Sequence, residues 1–400
     1  MVKSWTAGAV LVAIATLSTR ARAAICDDIN EYLDIPNPMT GDMEIVLSVT
    51  EILCPSISGD DAEIEEIIID GGTVTIKSDD TVRFVNLGFT VKSGAGLVFD
   101  MPKTQLGPNT GGGPDYPGGE TVDVEEGGSA IFMGKVVARE ITEVNTIFRN
   151  AGNMEFQKKV WFKDNNNVFA ENSGTLKFRG EATFKDNNYY PIRNQGSGFV
   201  RFSKAVVFNH NGHSLDGANG RTVMNDGPDG EILFVGDVTV RDNFSREGSA
   251  VYNEGTMKFR GKASFDRNDG NNPGGAVRNS DGIMTFNSAV QFNDNHSDSE
   301  GGGVAVDGGE IIFKKGVTFD GNSASNGGAF AVTNIKTYIT GGELIISSVG
   351  TLTFRKPSAV RFRNNFIDGD DEVDESCTDG FVVDGGTLVG FAEDDVCFVS

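Results

Sequence analysis

A short phrase keeps returning along this chain, and few folds can accommodate it. A Gly-led apolar run ends in phenylalanine at Phe132, Phe156, Phe178, Phe202, Phe234, Phe259, Phe286, Phe313 and Phe354, in steps of 24, 22, 24, 32, 25, 27, 27 and 41 residues. A second phenylalanine follows six residues later in most units, at Phe162, Phe184, Phe208, Phe265, Phe292 and Phe319. Ala138 and Val240 stand in twice, and Phe362 lags by two residues. An asparagine comes three residues further on, at Asn165, Asn187, Asn211, Asn243, Asn268, Asn295, Asn322 and Asn365. A third phrase ends in Asn-x-Gly at Asn150, Asn172, Asn194, Asn225 and Asn253; Asn279 carries one extra residue and Asp307 replaces the asparagine next. Sixteen of the 28 phenylalanines fall in the two columns, so the fold requires that residue at those places.

Each phrase alternates apolar and polar residues. In "GTLKF" Leu176 and Phe178 point one way and Lys177 the other; in "KKVWF" Val160 and Phe162 oppose Trp161. That is strand periodicity. Gly, Asn, Asp and Ser crowd between the phrases and mark turns. Three short strands per unit, with no helical stretch between them, predict an all-β, right-handed parallel β-helix, a solenoid of about a dozen coils capped at both ends. At ~4.8 Å per coil it would form a rod on the order of 55 Å long. Phenylalanine recurs to stack rings in two inward columns. Asparagine recurs because a turn column can bond amide to amide from coil to coil. A β-propeller needs blades of roughly 40 residues, longer than most of these steps. An antiparallel sandwich would not require the same residue so often.

The "GGA" phrases Gly274-Gly275-Ala276 and Gly327-Gly328-Ala329, together with Phe-x-x-Asn, resemble the repeats of the chlamydial polymorphic outer membrane proteins. They are also similar to the wider class of right-handed parallel β-helix, or pectin-lyase-like, proteins. The resemblance covers roughly residues 129–365 and implies the β-helix fold and a cell-surface, adhesin-like setting. That bacterial family also carries a C-terminal membrane barrel, and no ten-residue lipid-facing strands are written before Ser400. Enzymes of the pectin-lyase-like class work through carboxylates, calcium and a basic residue.

The ends read differently from the middle. Residues 1–23 combine Lys3, an apolar run from Ala7 to Leu17 and Ala21-Arg22-Ala23, the pattern of a secretory signal peptide. Residues 24–71 read as an N-terminal cap, with "DDINEYLDI" as a short covering helix. Residues 72–365 form the β-helix, regular from about residue 129, and residues 366–400 the C-terminal cap. No stretch is apolar over the roughly 20 residues of a transmembrane helix. In a secreted chain the four cysteines, Cys26, Cys54, Cys377 and Cys397, point to disulfides. Three pairings are possible; Cys26–Cys54 and Cys377–Cys397 close the shorter loops. With no Cys-x-x-Cys and three histidines, a thiol redox or metal role is disfavoured.

Losing Lys3, Arg20 and Arg22 with the signal takes the formal charge from −23 to −26. Such a charge disfavours nucleic acid and anionic lipid as main partners. It favours cations, basic surfaces or plain solubility outside the cell. Binding chemistry is sought first on loops: the Pro/Gly-rich 101–120, the insertion at 209–222 after Phe208, and the stretch within the 41-residue step. Outward Trp161, with Tyr189 and Tyr190, are candidate carbohydrate-stacking residues. The acidic pairs are Asp60-Asp61, Asp79-Asp80, Asp370-Asp371 and Asp394-Asp395. None sits beside a His and an Arg-x-Lys, and no catalytic residue is assigned. "NGHS" around His213 lacks the supporting aspartates of a polygalacturonase and reads as an exposed loop. "DGDDEVDES" (368–376) would offer oxygens to Ca2+, without EF-hand spacing; a solvated acidic segment is the simpler reading, and no cofactor is expected. Two sequons, Asn243-Phe244-Ser245 and Asn295-His296-Ser297, fall on the asparagine column, where a buried amide would leave no room for a glycan. The sequence therefore points to a secreted, non-enzymatic β-helix that binds polysaccharide, matrix or a cell surface. The alternative is a polysaccharide lyase, hydrolase or epimerase.

Overall fold

The structure is a computed structural model. It describes residues 11–14, 24–25, 38–47, 51–53, 65–85, 87–107, 121–141, 146–166, 168–212, 221–245, 249–333, 337–340, 343–346, 351–354, 360–363, 366–367, 381–384 and 387–389. The chain is an all-β parallel solenoid of the right-handed type, with three large parallel sheets and about nine turns of three strands. It divides into two compact units, Met1–Ala182 and Thr183–Ser400.

In the first unit each turn lays one strand on each sheet. Ala95–Asp100, Ser129–Phe132, Asn153–Phe156 and Thr175–Phe178 follow one another in the first sheet. Thr81–Val85, Lys103–Leu106, Lys135–Arg139 and Val160–Lys163 make the second. Leu87–Val91, Val122–Val124, Thr146–Asn150 and Val168–Asn172 make the third. Register is kept residue for residue, so Phe99, Phe132, Phe156 and Phe178 are paired in file. Their rings stack at centroid distances of 4.7, 4.9 and 5.1 Å, each fully buried. Phe148 meets Phe132 and Phe156 edge-on at 5.5 and 5.2 Å. Stacked and edge-to-face pairs each add about 0.5–1.5 kcal/mol beyond area burial. Leu11–Ile14, inside the predicted signal, pairs in parallel with Met43–Val46; in a processed chain Met43–Val46 would be left at that sheet edge.

The second unit repeats the scheme. Phe202, Phe234, Phe259, Phe286 and Phe313 stack at 5.1, 4.7, 4.5 and 5.1 Å. A second file runs Phe265–Phe292–Phe319 at 4.9 Å per step, its rings within 9° of parallel. The two files meet edge-to-face, as between Phe286 and Phe292 at 6.1 Å.

Beside them runs the asparagine column. Asn187 Nδ2 donates to Asn211 Oδ1 at 2.8 Å, and Asn211, Asn243, Asn268 and Asn295 each donate to the next amide at 2.8–2.9 Å. The same Oδ1 atoms accept the preceding asparagine's backbone N–H at 3.0–3.3 Å. The second Nδ2 hydrogen goes to a backbone carbonyl, for example Asn268 to Val240 O at 2.9 Å. These asparagines are at most 1% exposed, and the ladder satisfies polar groups that would otherwise be costly to bury. Asp186, His210, Asp242, Arg267 and Asp294, each just before a ladder asparagine, sit at φ of 50–55°, a left-handed bend that Asp and Asn tolerate best among non-glycines.

The Asn-x-Gly asparagines form a further ladder. Asn194, Asn225 and Asn253 each donate to the next Oδ1 at 2.8 Å and also to a glycine carbonyl. Where Asp307 ends the series, Asn279 Nδ2 turns to Gly308 O and the Asp307 carboxylate accepts from Arg278 Nε. A fourth, five-stranded parallel sheet also appears in this unit, through Phe244–Ser245, Asp269–Gly270, His296–Glu300, Ser323–Asn326 and Phe366–Ile367. Its strands fall in the 25-, 27-, 27- and 41-residue steps and just after Phe354, so these turns carry four strands where three were predicted. The GGA phrase closes the same turns. A Cβ on Gly275 would lie 2.1 Å from His296 O, and one on Gly302 2.1 Å from Ser323 O. Glycine is required there by close backbone approach. The insertion in the 41-residue step contains an antiparallel pair, Thr337–Thr340 with Glu343–Ile346.

Candidate functional site

The first unit carries a groove of 730 Å³, where connectors lead from the first sheet into the second; Lys77, Asp79, Asp80, Asp100, Met133 and Lys158 are among its lining. That size lies within the range of about 300–1,000 Å³ typical of ligand clefts. Met133 is 44% exposed and gives the groove an apolar surface. Lys77 pairs with Glu44 at 2.7 Å, a hydrogen bond that raises its ammonium pKa. The predicted pair Asp79-Asp80 thus lies in a groove with further ionisable groups, a convergence the sequence did not reveal.

The lining residues Pro102, Gly134 and Lys158 lead directly into the outer face of the second sheet. There Lys103 is paired with Lys135, and Lys159 comes next in the same register, one residue before Val160, the partner of Val136. The neighbouring outward file runs Arg83, Gln105, Val137 and Trp161. Trp161 is 39% exposed, and Lys135 Nζ lies 6.0 Å from its ring centroid, at the outer reach of a cation–π contact. Arg139 pairs with Lys163 at the strand ends. Lys159 is bridged to Glu181 at 3.3 Å and Lys163 to Asp164 at 2.8 Å. Among the described residues Lys103, Lys135 and Arg139 have no carboxylate partner. Burial pushes the Lys103 ammonium pKa down, and the charges of Lys135 and Arg139 push it further. A chain of formal charge −23 thus gathers cations around an exposed indole.

Tyr189 is 37% exposed and Tyr190 half-buried, both in the second unit on the segment after Ala182–Lys185. Elsewhere in that unit His296 Nδ1 lies 2.8 Å from Ser323 Oγ, and its Nε2 lies 3.1 Å from Asp298 Oδ1. The order resembles a nucleophilic triad, but Ser323 is only 7% exposed and its own N–H is bonded to Asn295 O. The contact follows from His296 and Ser323 being register partners. Among the described residues no cluster of three or more His, Cys, Asp or Glu side chains is placed to hold a metal ion, and no helix is long and apolar enough to cross a membrane. The four cysteines, His213, Asn365, the segment 368–376 and the other three acidic pairs lie outside the described residues, as do 108–120 and 213–220 of the two loops and the stretch read as a cap helix.

Fold and surface together define a parallel β-solenoid whose first unit carries cations beside an exposed indole on the second sheet. No protein-family model, curated protein or solved structure matches the chain.

Proposed function

We propose that this chain is a secreted β-helical structural or adhesive protein that binds polysaccharide, matrix or a cell surface. The observation that carries the reading is exposed Trp161 on the outer side of the second sheet, near a groove, since an indole offers a sugar ring a broad apolar platform. The signal-like residues 1–23 support secretion, and the GGA and Phe-x-x-Asn phrases support kinship with surface β-helices of the polymorphic outer membrane and pectin-lyase-like kind. Disulfides Cys26–Cys54 and Cys377–Cys397 belong to the same proposal. A glycan array probed with the purified mature chain tests it: binding to at least one polysaccharide, lost in Trp161→Ala, is expected. A blank array, or binding that ignores Trp161, would count against this face.

The enzymatic alternative draws on the groove, where Asp79, Asp80 and Asp100 lie among lysines. Release of reducing ends or unsaturated products from uronans or neutral glycans, with or without calcium, would select it.

A further inference from the structure

We infer that the outer face of the second sheet in the first unit is a binding track for a linear anionic polysaccharide, one bearing carboxylate or sulfate groups. This rests on the polysaccharide-binding reading above and narrows it to a ligand class. Lys103, Lys135 and Lys159 stand in one file, about 4.8 Å apart from coil to coil. Arg139 borders them one strand-length away, and Trp161 lies between. A polymer with a negative group on each repeat unit meets such a file at several points at once. That multiplies weak contacts into useful affinity. The indole then takes a sugar face.

The net charge of the chain does not forbid this. Fixed charges act over a Debye length, about 8 Å at physiological salt, so the cations of this face weigh more on a ligand there than the distant acids that set the net charge. Lys159 is bridged to Glu181, but among the described residues Lys103, Lys135 and Arg139 lack a carboxylate partner, although the chain has 57 acids against 34 bases. Like charges held close together raise the energy of the free protein, and an anionic ligand relieves that repulsion. A second copy of this acidic chain is the competing occupant, and the test separates the two.

The experiment measures binding of the purified chain to polygalacturonate, a sulfated glycosaminoglycan, a neutral xylan, duplex DNA and anionic lipid vesicles, across a salt series. Expected is binding to the charged polysaccharides that weakens steadily with salt and falls about tenfold or more in Lys103→Gln/Lys135→Gln/Lys159→Gln, given a few-fold for each of the three cations. Lys204→Gln/Lys314→Gln/Lys315→Gln makes the same charge change at exposed lysines of the second unit and should bind as the unaltered protein. Equal binding to xylan, or salt-independent binding, would overturn the anionic track while leaving polysaccharide binding intact. DNA or vesicles bound as tightly as the polysaccharides would overturn the ligand class. Self-association abolished by the triple change, with no glycan bound, would assign the face to a second copy. No glycan bound and no self-association would overturn both this inference and the reading beneath it. The salt series on the unaltered protein needs no substitution, so the test survives even a variant that folds poorly.

Discussion

Replacing Asn268 with alanine removes one rung from a buried amide ladder. Four hydrogen bonds go with the side chain: Asn243 Nδ2 and Asn243 N–H into Oδ1, and Nδ2 into Asn295 Oδ1 and Val240 O. Asn243 Nδ2 keeps Phe208 O, and Asn295 Oδ1 keeps the Asn268 N–H. The Asn243 N–H and Val240 O lose their bonds to this side chain. Each buried polar group left short costs about 1–3 kcal/mol, so the change should destabilise the fold by about 3 kcal/mol. For a unit this size that is a fall of about 6–12 °C in melting temperature. Asn268→Asp keeps the shape but cannot donate while ionised. Burial would raise that carboxyl's folded pKa above its unfolded value near ~3.9. Its ionisation therefore favours the unfolded chain, and the deficit should be largest at neutral pH and shrink as pH falls toward 4. Exposed Asn271→Ala in the same unit should stay within about 0.5 kcal/mol. Melting followed by circular dichroism decides. If Asn268→Ala melts with Asn271→Ala, the ladder does not hold the turns as described.

Other consequences can be checked alongside. Phe259→Ala opens a gap between rings at 4.7 and 4.5 Å and should cost about 3–5 kcal/mol in urea unfolding. Gly275→Ala pushes a methyl to 2.1 Å from His296 O and 2.4 Å from Gly302 O; a loss of about 1–3 kcal/mol is expected, and an unchanged midpoint would mean the turns are not so closely stacked. The Asn243 and Asn295 amides are at most 1% exposed, so intact mass and glycopeptide mapping of protein secreted from a glycosylating host should find both sequons unmodified.

The stacked files were legible because each is written as one residue type at a nearly fixed step. Phe99 escaped notice because its coil lacks the Phe-x-x-Asn phrase, though register places it in the file. The Asn194–Asn225–Asn253 ladder was visible as spelling but not as chemistry, since only the coordinates show the amides meeting. The left-handed residue before each ladder asparagine was hidden by its variety, as Asp186, His210 and Arg267 share a backbone angle and little else. The fourth strand was masked by its own composition, for Asp269–Gly270 and Ser323–Asn326 read as turns. The cationic face could not be read at all: Lys103, Lys135 and Lys159 lie in three different coils, and only register brings them together. Of the site, sequence reading found Trp161, because its outward direction follows from strand alternation.

In-register stacking of like residues is the claim on which the rest depends, and disulfide trapping tests it directly. Thr256 and Ile283 are register partners on the outer face of the first sheet, about 4.8 Å apart, within the Cα span a disulfide accepts. Lys258 and Ile283 are two residues out of register, beyond the ~7 Å limit. Thr256→Cys/Ile283→Cys should oxidise nearly completely to a bridged peptide seen by mass spectrometry, and Lys258→Cys/Ile283→Cys should not. Equal bridging of both pairs, or bridging of the second alone, would contradict the stacked register.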